Sequence, residues 1–551
     1  MNLTVYLSSY FIIIISIIGY GLLFQNILRN IIDVEFEYNL LGSLLFLIFL
    51  SFLTHFFFNH GYTHNLIIII IGIISFIFFY FKKKMLKRYS KYLYIIFGIL
   101  TIALLTAKTH DDFPYYHFPY TYYLTQENLI IGAGHLVHAF RTPSSIFYLN
   151  SLFYLPIIKY FSFNLGAILI FGFSNLILIF KLKNDYKNKR YDFIFFLTLL
   201  SFLFINIFFY RIAEHGTDRS AQILILILFI EVFSLYRKSA IIEKLFSKIF
   251  ILLGLIITLK AFYVLYLLIL IPVFIHFKKD NLFLNFFKNF YFYLFCSVGF
   301  FLMLINVFNS GCILYPVNIT CFSNFEWSLF NEAKSSNDWY EQWAKAGAGP
   351  NHRVDDPENY IKGFNWVSNW IDMYFFNKVS DFILGLFILL VIVFLTFHSK
   401  KKDNIKIKKQ NYIVYSITII LLFEWFYNHP SLRYGGYSLI ALILFMPFSI
   451  YISKFTSIKY FKEKIIFLIV LSLVIFTGRN VSRIHNEVQK YNYDLFSSPY
   501  YYLDKVHFRV DTLVNKILAN YQNCIEENKI NCERFEGISV SKKNIYYILK
   551  R

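Results

Sequence analysis

The chain alternates long apolar runs with short polar breaks. Runs at 5–24, 41–58, 64–81, 92–107, 162–180, 192–210, 219–236, 247–259, 261–276, 290–308, 379–397, 411–427, 435–453 and 463–477 approach bilayer-spanning length, for which ~20 residues suffice. They predict an all-α, polytopic transmembrane helix bundle of about 14 spans. A β-barrel would need short alternating segments, and none dominate. The apolar block 249–276 is divided at Lys260, because a charge at the bilayer centre is costly.

Composition agrees: 57% of the 551 residues are hydrophobic and the mean hydropathy is +0.53. Ile, Phe, Lys, Asn and Tyr are used heavily, as AT-rich coding produces, so the positions of charges say more than the net +20. Six connections, KKKMLKRYSK, KLKNDYKNKR, YRKSAIIEKLFSK, HFKKDNLFLNFFKN, HSKKKDNIKIKKQ and KFTSIKYFKEK, hold 28 Lys and Arg in about 70 residues. The connections between them (108–161, 211–218, 309–378 and 428–434) hold 10 in about 140. The positive-inside rule assigns the first set to the cytoplasm and the second to the outer side. The basic balance thus has a membrane explanation and implies no nucleic acid partner.

The expected organisation is an N-terminal transmembrane extension (1–91), a transmembrane core (92–477) with outward loops 108–161 and 309–378, and a small, α-rich outward tail (478–551). Arg29 is the only charge that orients the first three spans, and no basic region opens a cleavable signal peptide. Cys312 and Cys321 fall in an outward loop, and Cys524 and Cys532 in the outward tail. Both pairs are disulfide candidates in a compartment that permits them, whereas Cys296 lies inside a span.

The outward segments concentrate the unusual chemistry. HDDFPYYHFPY, His110 to Tyr120, pairs Asp111 with Asp112 in a frame stiffened by Pro114 and Pro119. From His117, HFPYTYYLTQ predicts a helix lying in the interface. Helix capping by one of the acids is the alternative to a chemical role. YRIAEHGTDRSAQ, Tyr210 to Gln222, places Asp218 in the first turn after the N-cap candidate Thr217, favourable to the helix dipole. That leaves Arg211, Glu214, His215 and Arg219 unexplained, and such a cluster at a bundle mouth suggests a polar cavity. Lys260 is either a snorkelling side chain or a cation for a lipid-borne phosphate. Arg433, on the short turn HPSLRY, is either an interfacial anchor or a bidentate phosphate ligand. Trp327, Trp339, Trp343, Trp366 and Trp370 suit carbohydrate contacts or interface anchoring.

His135 and His138 stand three apart, but HExxH and CxxC are absent, which disfavours zinc. The acid pair is of a kind that holds Mg2+ or Mn2+, and the metal question stays open. Walker A and GxGxxG patterns are missing, and no internal repeat points to a two-halved transporter.

An outward loop opening on paired acids, juxtamembrane helices, many spans and a large late outward loop together resemble the GT-C superfamily of membrane glycosyltransferases. HDDFPYYHFPYTYYLTQ, AEHGTDRSAQ, SGCILYP and HPSLRY are similar to a narrower family of bacterial multi-pass proteins with GT-C-like character. The resemblance implies a bacterial inner-membrane enzyme with a periplasmic active face. It would move a sugar from a polyprenyl-phosphate donor to an envelope glycan, lipid or protein, with inversion. It assigns the general base to Asp111 or Asp112, leaning to Asp111, and the donor phosphate to Arg433, Lys260 and Arg219. His117, Glu214, His215 and Asp218 would be polar residues of the cavity. Three spans precede the acid-bearing loop, where the superfamily usually has one. An O-antigen-type polymerase or ligase would lean on Arg and His instead, and a lipid-linked glycan flippase would carry charges along the interior of its spans.

Overall fold

The computed structural model describes residues 2–28, 34–82, 85–214, 216–237, 242–278, 287–347, 354–400, 408–455, 459–501, 519, 522–523 and 537–550. It is 76% helical. The first helices are α1 (Leu3–Ile27), α2 (Phe36–His55), α3 (Tyr62–Lys82) and α4 (Met85–Leu104). A π-helical turn, Phe113–His117, leads into α5 (Phe118–Gln126), followed by α6 (Ser145–Ser151), α7 (Leu165–Lys187), α8 (Phe193–Phe208), α9 (Gly216–Ser234) and α10 (Ile242–Leu259). A 3-10 stretch, Ala261–Ile269, continues into α11 (Leu270–Lys278). Then come α12 (Phe290–Ser310), α13 (Phe330–Lys345), α14 (Pro357–Ile361) and α15 (Val367–Trp370), which runs through π-helical Ile371–Val379 into α16 (Ser380–Phe397). The last elements are α17 (Lys409–Asn428), α18 (Gly436–Ser453), α19 (Phe461–Tyr491) and the antiparallel hairpin β1 (Ser539–Lys543) and β2 (Tyr546–Lys550).

Polar side chains fix several helix starts. Asn2, Asp192 and Asn289 accept hydrogen bonds from the backbone N–H groups of Val5, Phe195 and Tyr291, at 3.1, 3.1 and 2.9 Å, satisfying donors that a helix leaves orphaned. α10 ends at Lys260, whose backbone is extended (φ −161°, ψ 142°). The buried Leu259 carbonyl there, left by the end of the helix, accepts a 2.6 Å bond from Ser144 Oγ. The break expected at this lysine is therefore present, and it frees the ammonium from the helix.

Each predicted apolar run falls on a helix, and the chain is an all-α integral membrane protein. Among the described residues, eight helices are long and apolar enough to cross a bilayer: α1, α2, α3, the Tyr160–Lys187 helix, α12, the Val367–Phe397 helix, α18 and α19. The count of 14 is thus met only in part. α8 is shorter, and α4, α9 and α10 each carry three charged residues.

α2 and α7 to α10 form the interior, while α3, α12, α16 and α19 keep apolar side chains such as Ile74, Phe300, Phe387 and Val474 exposed at the rim. α1 and α3 approach closely through small residues, as membrane helices do when backbone contact replaces a hydrophobic driving force. A Cβ on Gly19 would lie 1.9 Å from the Gly72 carbonyl oxygen, and Ser16 Oγ donates to Ile69 O at 3.0 Å.

Charges collect at the two ends of the interior helices. At the basic-loop end, Glu231 is buried with Lys181, Lys248 and the Tyr38 hydroxyl, and Arg237 bridges Asp185 and Asp192. Asp218 and Lys260 sit at the opposite ends of α9 and α10, ~20 Å away at 1.5 Å per residue. The segments expected to face outward gather at this second end. The described part of the tail docks there too: Ile131 N–H donates to Tyr547 O at 2.9 Å, and Leu549 N–H to Ile131 O at 2.8 Å. Within the tail, α19 continues to Tyr491, and residues 539–550 form a hairpin whose Ile548 bridges Ile131. Cys312 and Cys321 form the expected disulfide. Cys524, Cys532 and His215 lie outside the described residues.

Candidate functional site

A cavity of about 700 Å³ opens at the end where these segments meet. Its acids come from the loop after α4. Asp112 sits just before the π-helical turn, with Pro114 inside that turn, and its backbone N–H donates to His110 Nδ1 at 3.1 Å. Behind the loop, Arg483 of α19 donates to the Ile102 and Leu105 carbonyls at 3.1 and 2.9 Å, and Glu487 accepts from Ala107 N–H at 2.7 Å. This pair pins the end of α4 and so sets where the acid loop begins.

Arg433 enters from the turn between α17 and α18. The Ser431 carbonyl accepts from Trp425 Nε1 at 2.8 Å, the Pro430 carbonyl accepts from Trp370 Nε1 at 2.8 Å, and Leu432 N–H donates to the Tyr374 hydroxyl at 2.9 Å. Gln222 of α9 completes the clamp: its Nε2 donates to the Arg433 carbonyl at 3.0 Å, and its Oε1 accepts from Ser438 N–H at 3.1 Å.

The charged side chains then join in one line. Arg433 Nη2 binds Asp112 Oδ2, and Arg433 Nε donates to Asp218 Oδ2 at 3.0 Å. Asp218 Oδ1 accepts from Lys260 Nζ at 2.6 Å. Two acids and two bases from four distant segments thus neutralise one another in a partly buried chain. Aromatic rings wall it: the Arg433 guanidinium lies 5.6 Å from the Trp343 ring centre, and Lys260 Nζ lies 4.5 Å from that of Tyr434, a cation–π geometry. Tyr115, Tyr116, Trp339 and Tyr340 complete the lining.

Asp111 behaves differently from its neighbour. Its side chain is 88% exposed and among the described residues pairs with Lys108 alone, at 3.6 Å, yet it lines the same cavity. The pair is therefore split into one carboxylate held by Arg433 and one that is open to a ligand. Burial pushes the Asp112 carboxyl up, but Arg433, His117 and His110 outweigh it and hold the group below its ordinary value.

Of the other expected site residues, His117 is buried behind Asp112 against Phe147, with no hydrogen-bond partner at Nε2 among the described residues. His117, Glu214, Asp218 and Arg219 are not in the cavity lining, and Asp218 joins it only through its ion pairs with Lys260 and Arg433. Glu214 pairs with Arg211 and approaches Arg483 at 3.9 Å. Arg219 lies over the Phe209 ring at 5.5 Å with a buried Nη1 unpartnered among the described residues. Of the five tryptophans of the late loop, Trp339 and Trp343 reach the cavity, while Trp366 and Trp370 are packing residues. Among the described residues no three His, Cys, Asp or Glu side chains gather to hold a metal ion.

Three histidines of this end share a physical property. Burial pushes His117 down to about 3, and His138 and His429 each down to about 4. An unfolded chain takes up these protons below about pH 6.5, and the folded protein does not. Folding stability is therefore fully present above that pH and is lost as the pH falls toward about 4. Asp112, shifted below the ordinary carboxylate range, adds nothing between pH 5 and 8. The unfolding midpoint of the detergent-solubilised protein should be flat from pH 8 to 7 and fall from pH 6.5 to 5; a flat profile throughout would contradict the burial of these rings.

Fold and site together define a polytopic α-helical membrane protein with a charged, aromatic cavity at one end of its bundle. Over residues 3–440 the chain belongs to the family described as Domain of unknown function (DUF8201). No curated protein and no solved structure matches it.

Proposed function

We propose that the protein is an inverting membrane glycosyltransferase of about 14 spans that moves a sugar from a polyprenyl-phosphate donor to an envelope glycan, lipid or protein. Its active face is periplasmic, at the inner membrane. The observation that carries this reading is the convergence of Asp111, Asp112, Lys260 and Arg433 on one aromatic-lined cavity. Trp343, Tyr340 and Tyr434 offer ring faces for a sugar, and the neutralised ionic chain supplies a polar floor for its hydroxyls. Asp111, free of strong partners, is placed to take the proton of the acceptor hydroxyl as it attacks the anomeric carbon. Asp112 keeps Arg433 in position, and the leaving phosphate departs with the negative charge that nearby cations offset.

Replacing both acids with asparagine tests the reading in cells. Glycan transfer should disappear while the amount of membrane-inserted protein is unchanged; undiminished transfer would overturn it. Arg433 at the centre of the ionic chain also favours a second reading, a polymerase or ligase of lipid-linked glycans. Under that reading Arg433→Lys shortens glycan chains, while Asp111→Asn leaves their length alone.

A further inference from the structure

A second concavity of about 470 Å³ opens beside the cavity, and Lys108 and Tyr491 line both. Its character is different. Lys108, Arg211, Arg479, Arg483 and Lys490 line it, with Glu487 the one acid among its lining residues. Glu214 and Glu487 satisfy Arg211 and Arg483. Three cations keep donors to offer: Lys108, half-exposed and 3.6 Å from Asp111; Arg479, which donates one Nη1–H to Ile207 O at 2.9 Å; and Lys490, which makes no ion pair among the described residues. The Arg479 guanidinium is held over the Tyr210 ring at 3.9 Å, which orients it without neutralising it.

The groove also borders lipid. α19 has 31 residues, ~46 Å at 1.5 Å per residue, which exceeds a hydrocarbon core of ~30 Å. Counted from Phe461 at the basic-loop end, Arg479 lies ~27 Å and Lys490 ~44 Å along the helix, so the groove runs from the outer edge of the core into the headgroup layer. Val474, Val481 and Val488, seven residues apart, keep one exposed apolar stripe running along α19 to the level of the groove.

We propose that this groove binds the phosphate of a lipid whose hydrocarbon lies along the Val474–Val488 stripe and whose sugar occupies the neighbouring cavity. The inference deepens the glycosyltransferase reading and rests on it. The division follows from charge: Lys260 and Arg433 are spent on Asp218 and Asp112, so the cavity is near neutral and suits a sugar, whereas the groove carries a surplus of cations and suits a phosphate. Lys108, shared by both, marks where the phosphoester bond lies.

The test is a binding titration on the full-length, detergent-solubilised protein, read by intrinsic tryptophan fluorescence or calorimetry. The probes are farnesyl phosphate, farnesol and inorganic phosphate. Farnesyl phosphate should bind about tenfold tighter than either of the others, since a charge-assisted contact to phosphate is strong and the chain adds apolar contact. Raising the salt should weaken farnesyl phosphate and leave farnesol unchanged. Lys108→Gln and Lys490→Gln, at exposed positions, should each weaken farnesyl phosphate about fivefold. Equal binding of farnesol and farnesyl phosphate overturns the proposal, and so does inorganic phosphate binding as tightly as the lipid phosphate. Loss of binding in Arg433→Lys with none in the two glutamine variants would move the phosphate into the cavity and overturn the groove, while leaving sugar transfer, read by the acid-pair variants, to stand or fall separately.

Discussion

Arg433→Ala should lower stability by about 3 kcal/mol and, if the proposed glycosyl transfer is this protein's reaction, abolish turnover. The guanidinium bridges Asp112 and Asp218, whose side chains are only 25% and 10% exposed. Truncating it leaves Asp112 partly buried without its cation and Asp218 with Lys260 alone, and removing one partner of such a network costs far more than the pair contributes when intact. Lysine restores the charge but not the fork, because one ammonium cannot reproduce donors at both Nε and Nη2. Arg433→Lys should therefore recover part of the stability. Thermal unfolding of the purified variants measures this, and Asp112→Asn in the Arg433→Ala background should return some of the loss, since it removes the carboxylate left without its cation while Asp218 keeps Lys260. An unchanged midpoint in Arg433→Ala would mean that the ionic chain does not hold this end of the bundle together.

The second large effect separates the two acids. Asp111→Asn should leave the unfolding midpoint unchanged, because the side chain is exposed and has only a 3.6 Å contact with Lys108. Its turnover should fall by about 10²–10⁴, the range lost with a general base. Asp112→Asn should lower both stability and turnover, because Arg433 loses its partner. Turnover and thermal stability measured on the two single variants give the comparison. A turnover loss in Asp112→Asn with full activity in Asp111→Asn would assign the proton transfer to the other carboxylate.

Much of this end of the molecule was legible in the chain. The alternation of basic and charge-poor connections by itself collects Asp111, Asp112, Lys260 and Arg433 on one side, because membrane sidedness is written in loop charge. The break at Lys260 was readable too, since a lysine in the middle of an apolar block must leave the helix or find a partner. Pairing was not readable. Nothing in spacing distinguishes Asp111, pointing into open space, from Asp112, bound to a side chain 321 positions away. Glu214 and Arg219 looked like cavity residues because they flank Asp218 in sequence, but one turn of helix is enough to aim neighbours at different surroundings.

Gln222 left a signal that went unused. It is a polar residue entering the apolar run QILILIL, and polar groups inside spans usually have a partner. Arg483 and Glu487 were read as tail residues because the apolar run stops near residue 477, yet they stand four apart, the spacing of a helical ion pair. The docking of the hairpin at 539–550 on Ile131, more than 400 residues away, is a contact that no local pattern encodes.

The most direct measurement is the release of polyprenyl phosphate from a polyprenyl-phosphate sugar by the purified protein in liposomes. The wild type should release it with concurrent glycosylation of an added acceptor, and Asp111→Asn, folded to the same midpoint, should release almost none. Equal release by the two proteins, or no release by the wild type across sugars and acceptors, would contradict the assignment of this cavity to glycosyl transfer.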